Sequence, residues 1–505
     1  MRLALSVIAL FWAASCAGMP AATTITHVQI IDGTGSPACS GAVRILDDRI
    51  VAVGEIVPER GDAVVDGRGL VLAPGFIDTH SHHDSGLDRQ PSALAAVSQG
   101  ITTIVAGQDG EHPLPLSAAM AELERAPPAI NVAFYAGHGS IRAAVMKDDF
   151  RRPATTAEVE AMARLLRREL DAGALGLSTG LEYDPGIYSD RTEILALAKV
   201  SAEAGGRYIS HIRSEDRQFW EAIDELLTIG REARLPVQVS HMKLAMTSLW
   251  GQSARLLALL DQARADGIDV TADVYPYTYW QSTLQVLFPQ RDFEDRAEAE
   301  KVLREIAPPD GLLITAFAPE PSYAGKTVAE LALLRQEDPA STLMGLIRES
   351  LAWGKGHPDV AEIESVVGTS MTEEDVEALL AWEHANVCSD GQLDGAHPRG
   401  FGAFPRVLGR LVRERGTLAL ETAVAKMTRL AAEHVGLAQR GTIAPGSYAD
   451  LVLFEPATVN DQATAAEPQR VATGIARVWV NGRTVWQAGA VTGERPGRVL
   501  RRDAP

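Results

Sequence analysis

At 505 residues the chain is longer than one compact core of ordinary size, and it suits a large barrel with an accessory domain or several smaller domains. A formal charge of −19 argues against nucleic acid as a partner, because phosphate binding needs a basic face; a locally positive pocket for a small anion is still compatible with it. Three cysteines, Cys16, Cys39 and Cys388, make neither a disulfide framework nor a cysteine-rich structural zinc site.

The N-terminus opens with Arg2, an apolar run from Leu3 to Ala13, and small residues through Gly18. That run is too short to span a bilayer as a mature helix, and residues 1–22 read as a signal peptide. Export to the periplasm is expected, with lipid attachment at Cys16 as an alternative that would anchor the protein in the envelope. No other segment is apolar for long enough to cross a membrane. Residues 23–72 alternate apolar and polar, as in Gly41-Ala-Val-Arg-Ile-Leu46, with Gly and Asp between the runs, and predict short antiparallel strands. Residues 435–505 repeat the style in Asp450-Leu-Val-Leu-Phe454 and Ala476-Arg-Val-Trp-Val480. Both ends together predict one small β-sandwich domain.

Residues 73–434 alternate short apolar strands with amphipathic helices, the mark of a parallel sheet. Candidate strands end at His80/His82, Asp109, His138, Tyr183, His211, His241, Tyr275 and Asp390. One predicted helix starts at Thr155 or Thr156 as cap and runs to Leu170; another runs from Ser253 to Asp266 and closes at Gly267. Eight strand–helix steps predict an α/β fold, a (β/α)₈ barrel. A Gly-rich phosphate loop after the first strand is absent, which argues against a doubly wound dinucleotide fold. The long gap at residues 285–383 reads as a lid or substrate-binding insertion.

In a parallel barrel the strand C-termini form one rim, and several ligand-competent residues fall there. His80 and His82, two apart on a strand, face the same way and can reach one metal ion. His211 and His241 each follow a Ser at the end of an apolar run, in successive strands, and read as a second ligand pair. Asp390, in Ser389-Asp-Gly391, is the candidate general acid/base. Asp109, in Gly107-Gln-Asp-Gly110, can bind or bridge metal, or can simply form a turn. Lys243, Tyr183 and Tyr275 are candidates for binding substrate, with His138, Arg142, Arg213 and Glu182 as weaker ones.

The layout resembles the amidohydrolase superfamily and, within it, the N-acyl-D-amino-acid deacylases (D-aminoacylases). The resemblance is carried by Pro74-Gly-Phe-Ile-Asp-Thr-His-Ser-His82, Gly137-His-Gly-Ser-Ile-Arg142, Gly173-Ala-Leu-Gly-Leu-Ser-Thr-Gly-Leu-Glu-Tyr183, the two Ser-His strands, Ser389-Asp-Gly391, His397-Pro-Arg-Gly400 and Gly441-Thr-Ile-Ala-Pro-Gly446. It implies one or two zinc ions, with His211 and His241 on the tighter site and His80 and His82 on a weaker one. It further implies Asp390 as general acid/base and Lys243, Tyr183 and Tyr275 as substrate-binding residues. The implied reaction is hydrolysis of an N-acyl-D-amino acid; a dipeptide with a C-terminal D-residue is the alternative substrate. A non-catalytic metal- or ligand-binding protein on the same scaffold is the rival of another class. One departure stands out: the family usually has Cys where this chain has Asp109, replacing thiolate by a harder carboxylate ligand.

Overall fold

The computed structural model describes residues 22–360 and 362–502. The expected leader, with Cys16, lies outside the described residues except for Ala22. Eight parallel strands form the barrel: Phe76–Asp78 (β1), Ile101–Ala106 (β2), Asn131–Phe134 resuming as Ala136–Gly137 (β3), Gly176–Gly180 (β4), Arg207–His211 (β5), Val237–Val239 (β6), Val270–Val274 (β7) and Ala385–Val387 (β8). Each pairs in parallel with the next, β7 with β8 included. Beyond the strands proper, the ring closes through Asp390 N donating to His80 O at 2.9 Å and His82 N donating to Gly391 O at 2.9 Å. Strands β2, β4 and β7 are buried at every residue, as expected where the inner face is packed and helices cover the outer one.

The helices follow the chain's own start and stop signals. Thr155 caps Thr156–Asp171 in a reciprocal capping box with Glu158, and Met162, Leu166 and Leu170 give that helix its buried stripe. Ser253–Ala265 stops before Gly267, whose φ of +91° suits glycine.

The two chain ends join one nine-stranded sheet. Leu451–Phe454 runs antiparallel to Val71–Pro74, with Leu453 opposite Leu72, over an apolar cluster that includes Ile25, Val43, Leu451 and Trp479. Val71–Pro74 leads into β1 through Gly75, where a Cβ would lie 2.3 Å from the Thr102 side chain; only glycine permits so close an approach.

Between β7 and β8 the chain builds a further layer. Tyr279–Ser282, Glu364–Thr369 and Leu312–Phe317 form an antiparallel sheet, backed by Arg296–Glu305, Val328–Arg335 and Pro339–Gly356. It has its own apolar cluster, including Leu284, Val302, Ile314 and Leu343. The three strands do not stand out in the sequence, because Leu312–Phe317 alternates only loosely between buried and half-buried residues.

Candidate active site

The expected His80/His82 strand is shorter than the pattern suggests. β1 ends at Asp78, so both histidines lie beyond regular strand. Backbone bonds hold them in place, Ser81 N to Val105 O at 3.2 Å on one side and the closing bonds to residues 390 and 391 on the other. Both imidazoles therefore still turn to one centre.

That centre collects all five expected ligands and Asp390. Ligand atoms of His80, His82, Asp109 and Asp390 lie within 4.8 Å of one another, and so do those of Asp109, His211 and His241. Asp109 belongs to both groups: its Oδ1 is 3.4 Å from His80 Nε2 and 3.3 Å from His241 Nε2, while its Oδ2 is 3.2 Å from His82 Nε2. It sits at φ +52° between Gly107 and Gly110, also at positive φ, a kink that swings the carboxylate across the barrel mouth.

The donor atoms at this centre fit a cation. His211 Nε2 faces Glu182 Oε2 at 3.1 Å, which puts the ring proton there and leaves the Nδ1 lone pair directed at His241 Nε2, 3.1 Å away. His241 Nδ1 lies 2.6 Å from Lys243 Nζ and 3.1 Å from Glu215 Oε1, and its Nε2 faces Asp109 Oδ1 at 3.3 Å. Two ring nitrogens and a carboxylate oxygen thus converge within 4.8 Å of one another. His80 is fully buried, yet neither of its ring nitrogens has a hydrogen-bond partner, and Asp109 Oδ1 has none either. Imidazole nitrogen with carboxylate oxygen is a donor set suited to zinc and its neighbours in the first transition row.

The electrostatics are tightly balanced. Burial works against charge on His82, but Asp109 and Asp390 outweigh it and hold its pKa well above the ordinary range. Burial and Lys243 oppose charge on His241; Glu215, Asp109 and Asp390 overcome them and lift it to about 10. Asp390 resists the upward push of burial because Arg399, His241 and His82 surround it, and its pKa falls below the carboxylate range. Arg399 Nη1 lies 2.6 Å from Asp390 Oδ2, and Oδ1 is left facing His82 Nε2 at 3.3 Å.

On the substrate side, Lys243 Nζ donates to Glu215 Oε1 at 2.6 Å. The Tyr275 ring lies beneath two cations, 4.8 Å from the Arg399 guanidinium carbon and 5.7 Å from Lys243 Nζ, and its buried hydroxyl has no partner. Tyr183 packs on His211 with ring centroids 4.5 Å apart. These residues line a cavity of about 50 Å³ that Trp280, Leu287 and Ile306 border from the β7–β8 layer. A second cavity of about 630 Å³ shares Tyr183, Asp390 and Arg399 with it and continues past His82 and Asp109.

Of the weaker candidates, Glu182 belongs to the site. His138 and Arg142 instead pair with Glu193 in a buried cluster, His138 Nε2 at 2.7 Å from its Oε1. Arg213 forks onto Glu225 at 2.7 and 2.9 Å. Their partners are carboxylates on neighbouring helices, so their charges are already spent in holding the barrel wall. Sequence reasoning assigned no role to Glu215, Arg399 or Asp273. Glu215 lies in the loop four residues past His211, Arg399 sits in the His397-Pro-Arg-Gly400 segment, and Asp273 Oδ1 accepts His241 N at 2.5 Å. Only the His-Pro-Arg-Gly signature offered a signal for any of them.

The chain belongs to the amidohydrolase family, which it matches over residues 63–314 and 385–486; the gap between them falls in the β7–β8 layer. It is 38% identical over 502 residues to the N-acyl-D-glutamate deacylase of Alcaligenes xylosoxydans xylosoxydans, covering 94% of this chain and 95% of that one. It is 36% identical over 503 residues to the D-aminoacylase of the same organism, covering 94% and 96%. The solved N-acyl-D-glutamate deacylase of Bordetella bronchiseptica, complexed with zinc and a phosphonate mimic of the tetrahedral intermediate, superposes with a TM-score of 0.84 at 36% identity, over 95% of this chain and 99% of that one.

Proposed function

We propose that this protein is a zinc-dependent hydrolase of N-acyl-D-amino acids, releasing a carboxylic acid and the free D-amino acid. The observation that carries the reading is the shared carboxylate of Asp109, with imidazoles on both sides and Asp390 beside it. When bound, zinc would supply Lewis acidity toward the acyl carbonyl and lower the pKa of the attacking water. His80, His82, Asp109, His211 and His241 would hold it.

The remaining chemistry falls to side chains. Asp390 is ionised and positioned by Arg399, so its Oδ1 takes the proton of the attacking water and returns it to the departing nitrogen. The Tyr183 hydroxyl, at the junction of the two cavities, is suited to donate to the developing oxyanion. Lys243, Arg399 and the free hydroxyl of Tyr275 converge where an α-carboxylate would sit, which reconciles an acidic protein with an anionic substrate. Hydrolysis of N-acetyl-D-amino acids by zinc-reconstituted protein, with N-acetyl-L-amino acids in parallel, is the direct test; no turnover of the D-series would overturn the reading.

A dipeptide with a C-terminal D-residue is a second reading, favoured by the larger cavity, where Glu111, Glu362 and Asp394 would suit an ammonium group on the acyl side. Comparing L-alanyl-D-leucine with N-acetyl-D-leucine separates the two. Three readings from the sequence accompany this one. The nine-stranded sheet is taken as a β-sandwich domain of residues 23–72 and 435–505, and residues 285–383 as a lid on the barrel of residues 73–434. Residues 1–22 are taken as an export leader, with lipid at Cys16 as the anchored alternative. Cell fractionation and the mass of the mature N-terminus decide the last.

A further inference from the structure

The relatives' names differ in the N-acyl amino acid they act on, and the cavity beside the centre bears on that choice for this chain. Resting on the function proposed above, we infer that the released amino acid has an uncharged, apolar side chain, lodged against Trp280, Val286, Leu287 and Ile306.

The argument is one of charge and of surface. The cavity is lined by two permanent cations, Lys243 and Arg399. Each already faces a carboxylate at 2.6 Å, Glu215 and Asp390 respectively. Both also sit over the face of Tyr275, at the same end of the cavity. A substrate α-carboxylate placed there takes up both of these cations. A second carboxylate, on the side chain, would find no further lysine or arginine among the lining residues. It would meet instead Glu182 and Asp216, the latter already 2.6 Å from Arg217 outside the lining.

Beside Gln281 and Ser282, the lining from the β7–β8 layer is apolar. Trp280 comes from the edge strand of the β7–β8 layer, Val286 and Leu287 from the short helix Leu284–Leu287, and Ile306 from the end of Arg296–Glu305, with Ala245 completing it from the barrel. Trp280, Leu287 and Ile306 are almost wholly buried, so this wall is packed rather than mobile surface. An aliphatic or aromatic side chain gains by burial there, whereas a charged one loses its water and finds no partner. The discrimination expected from an unpaired buried charge is far greater than that from a missing methylene.

The test is kcat/KM of the zinc-loaded full-length protein for the N-acetyl derivatives of D-leucine, D-alanine, D-glutamate, D-aspartate and D-lysine. The D-leucine compound is expected to exceed each charged one by at least about 100-fold. In Trp280→Ala, the ratio of kcat/KM for N-acetyl-D-leucine to that for N-acetyl-D-alanine should fall about tenfold. In calorimetry on the metal-free protein, D-leucine should bind more tightly than D-glutamate. A preference for D-glutamate, D-aspartate or D-lysine overturns the inference and leaves the hydrolase reading standing. Failure to cleave any member of the panel overturns both.

Discussion

Glu182 Oε2 lies 3.1 Å from His211 Nε2, while the other nitrogen of that ring faces His241. The carboxylate is itself fixed, since Glu182 Oε1 accepts Glu215 N at 2.7 Å and the Glu182 carbonyl accepts Arg291 Nη2 at 2.7 Å. Glu182 thus decides which imidazole nitrogen is left bare. Replacing it by Leu should weaken zinc binding about 10- to 100-fold, with Glu182→Gln falling between, because an amide oxygen can still accept the ring proton. Chelator competition measures the affinity, and the melting temperature of the metal-free variant separates this effect from misfolding. Unchanged affinity in Glu182→Leu would remove the positioning role.

Asp390→Asn keeps the size of the side chain and loses its basicity. Turnover should drop by about 10²- to 10⁴-fold, with zinc content hardly altered because the histidines and Asp109 remain. Steady-state rates and elemental analysis on one sample check both halves; a rate near that of the parent protein would exclude Asp390 as the proton carrier.

Asp109 faces both groups of histidines, so its loss should affect stoichiometry more than fold. In Asp109→Ala the zinc bound per chain at saturation should fall, and the remaining ion should leave more readily to chelator. In the parent protein, zinc at 100 times its dissociation constant should add about 2.7 kcal/mol to unfolding stability, lost on chelation and largely absent from the variant. Denaturant melts with and without chelator give the comparison.

Glu364 concerns stability rather than catalysis. Burial pushes its carboxyl up to about 8, against the opposing bonds from the backbone at Leu284. An acid whose folded pKa is raised binds its proton more tightly when folded. Its contribution is complete below pH 4.5, the ordinary value, and is lost as pH rises through about 8. Glu364→Gln, which is neutral throughout, should therefore gain stability relative to the parent as pH rises from 5 to 9. Urea midpoints at each pH provide the measurement, and a constant difference across the range would contradict the raised pKa.

The barrel and most of its site were legible because parallel strands bury both faces and give out at one rim, so an apolar run that stops at His or Asp marks a rim position. This logic located His211, His241 and Asp390 without any contact map. It also swept in His138, since a strand end looks alike whether its histidine faces the mouth or a neighbouring helix. Glu215 and Arg399 escaped it because they stand on a loop and at a helix start, where no periodicity records what a side chain meets. The strands of the β7–β8 layer were hidden for a related reason: they pack on their own small core, with too few residues to impose a clear alternation.

The hydrogen bonds that close the ring, from Asp390 N to His80 O and from His82 N to Gly391 O, are made by the backbone of the very residues whose side chains meet at the centre. A folding chain that has arranged its first seven strands still lacks the seam, and with it the juxtaposition of Asp390 and the His80–His82 pair. Full assembly of the centre is in that sense the last stitch of the fold, and an ion spanning the seam would act as its clasp. Regain of catalysis on refolding should then trail the return of helical signal, and the delay would time the moment at which residues 390 and 80 find each other.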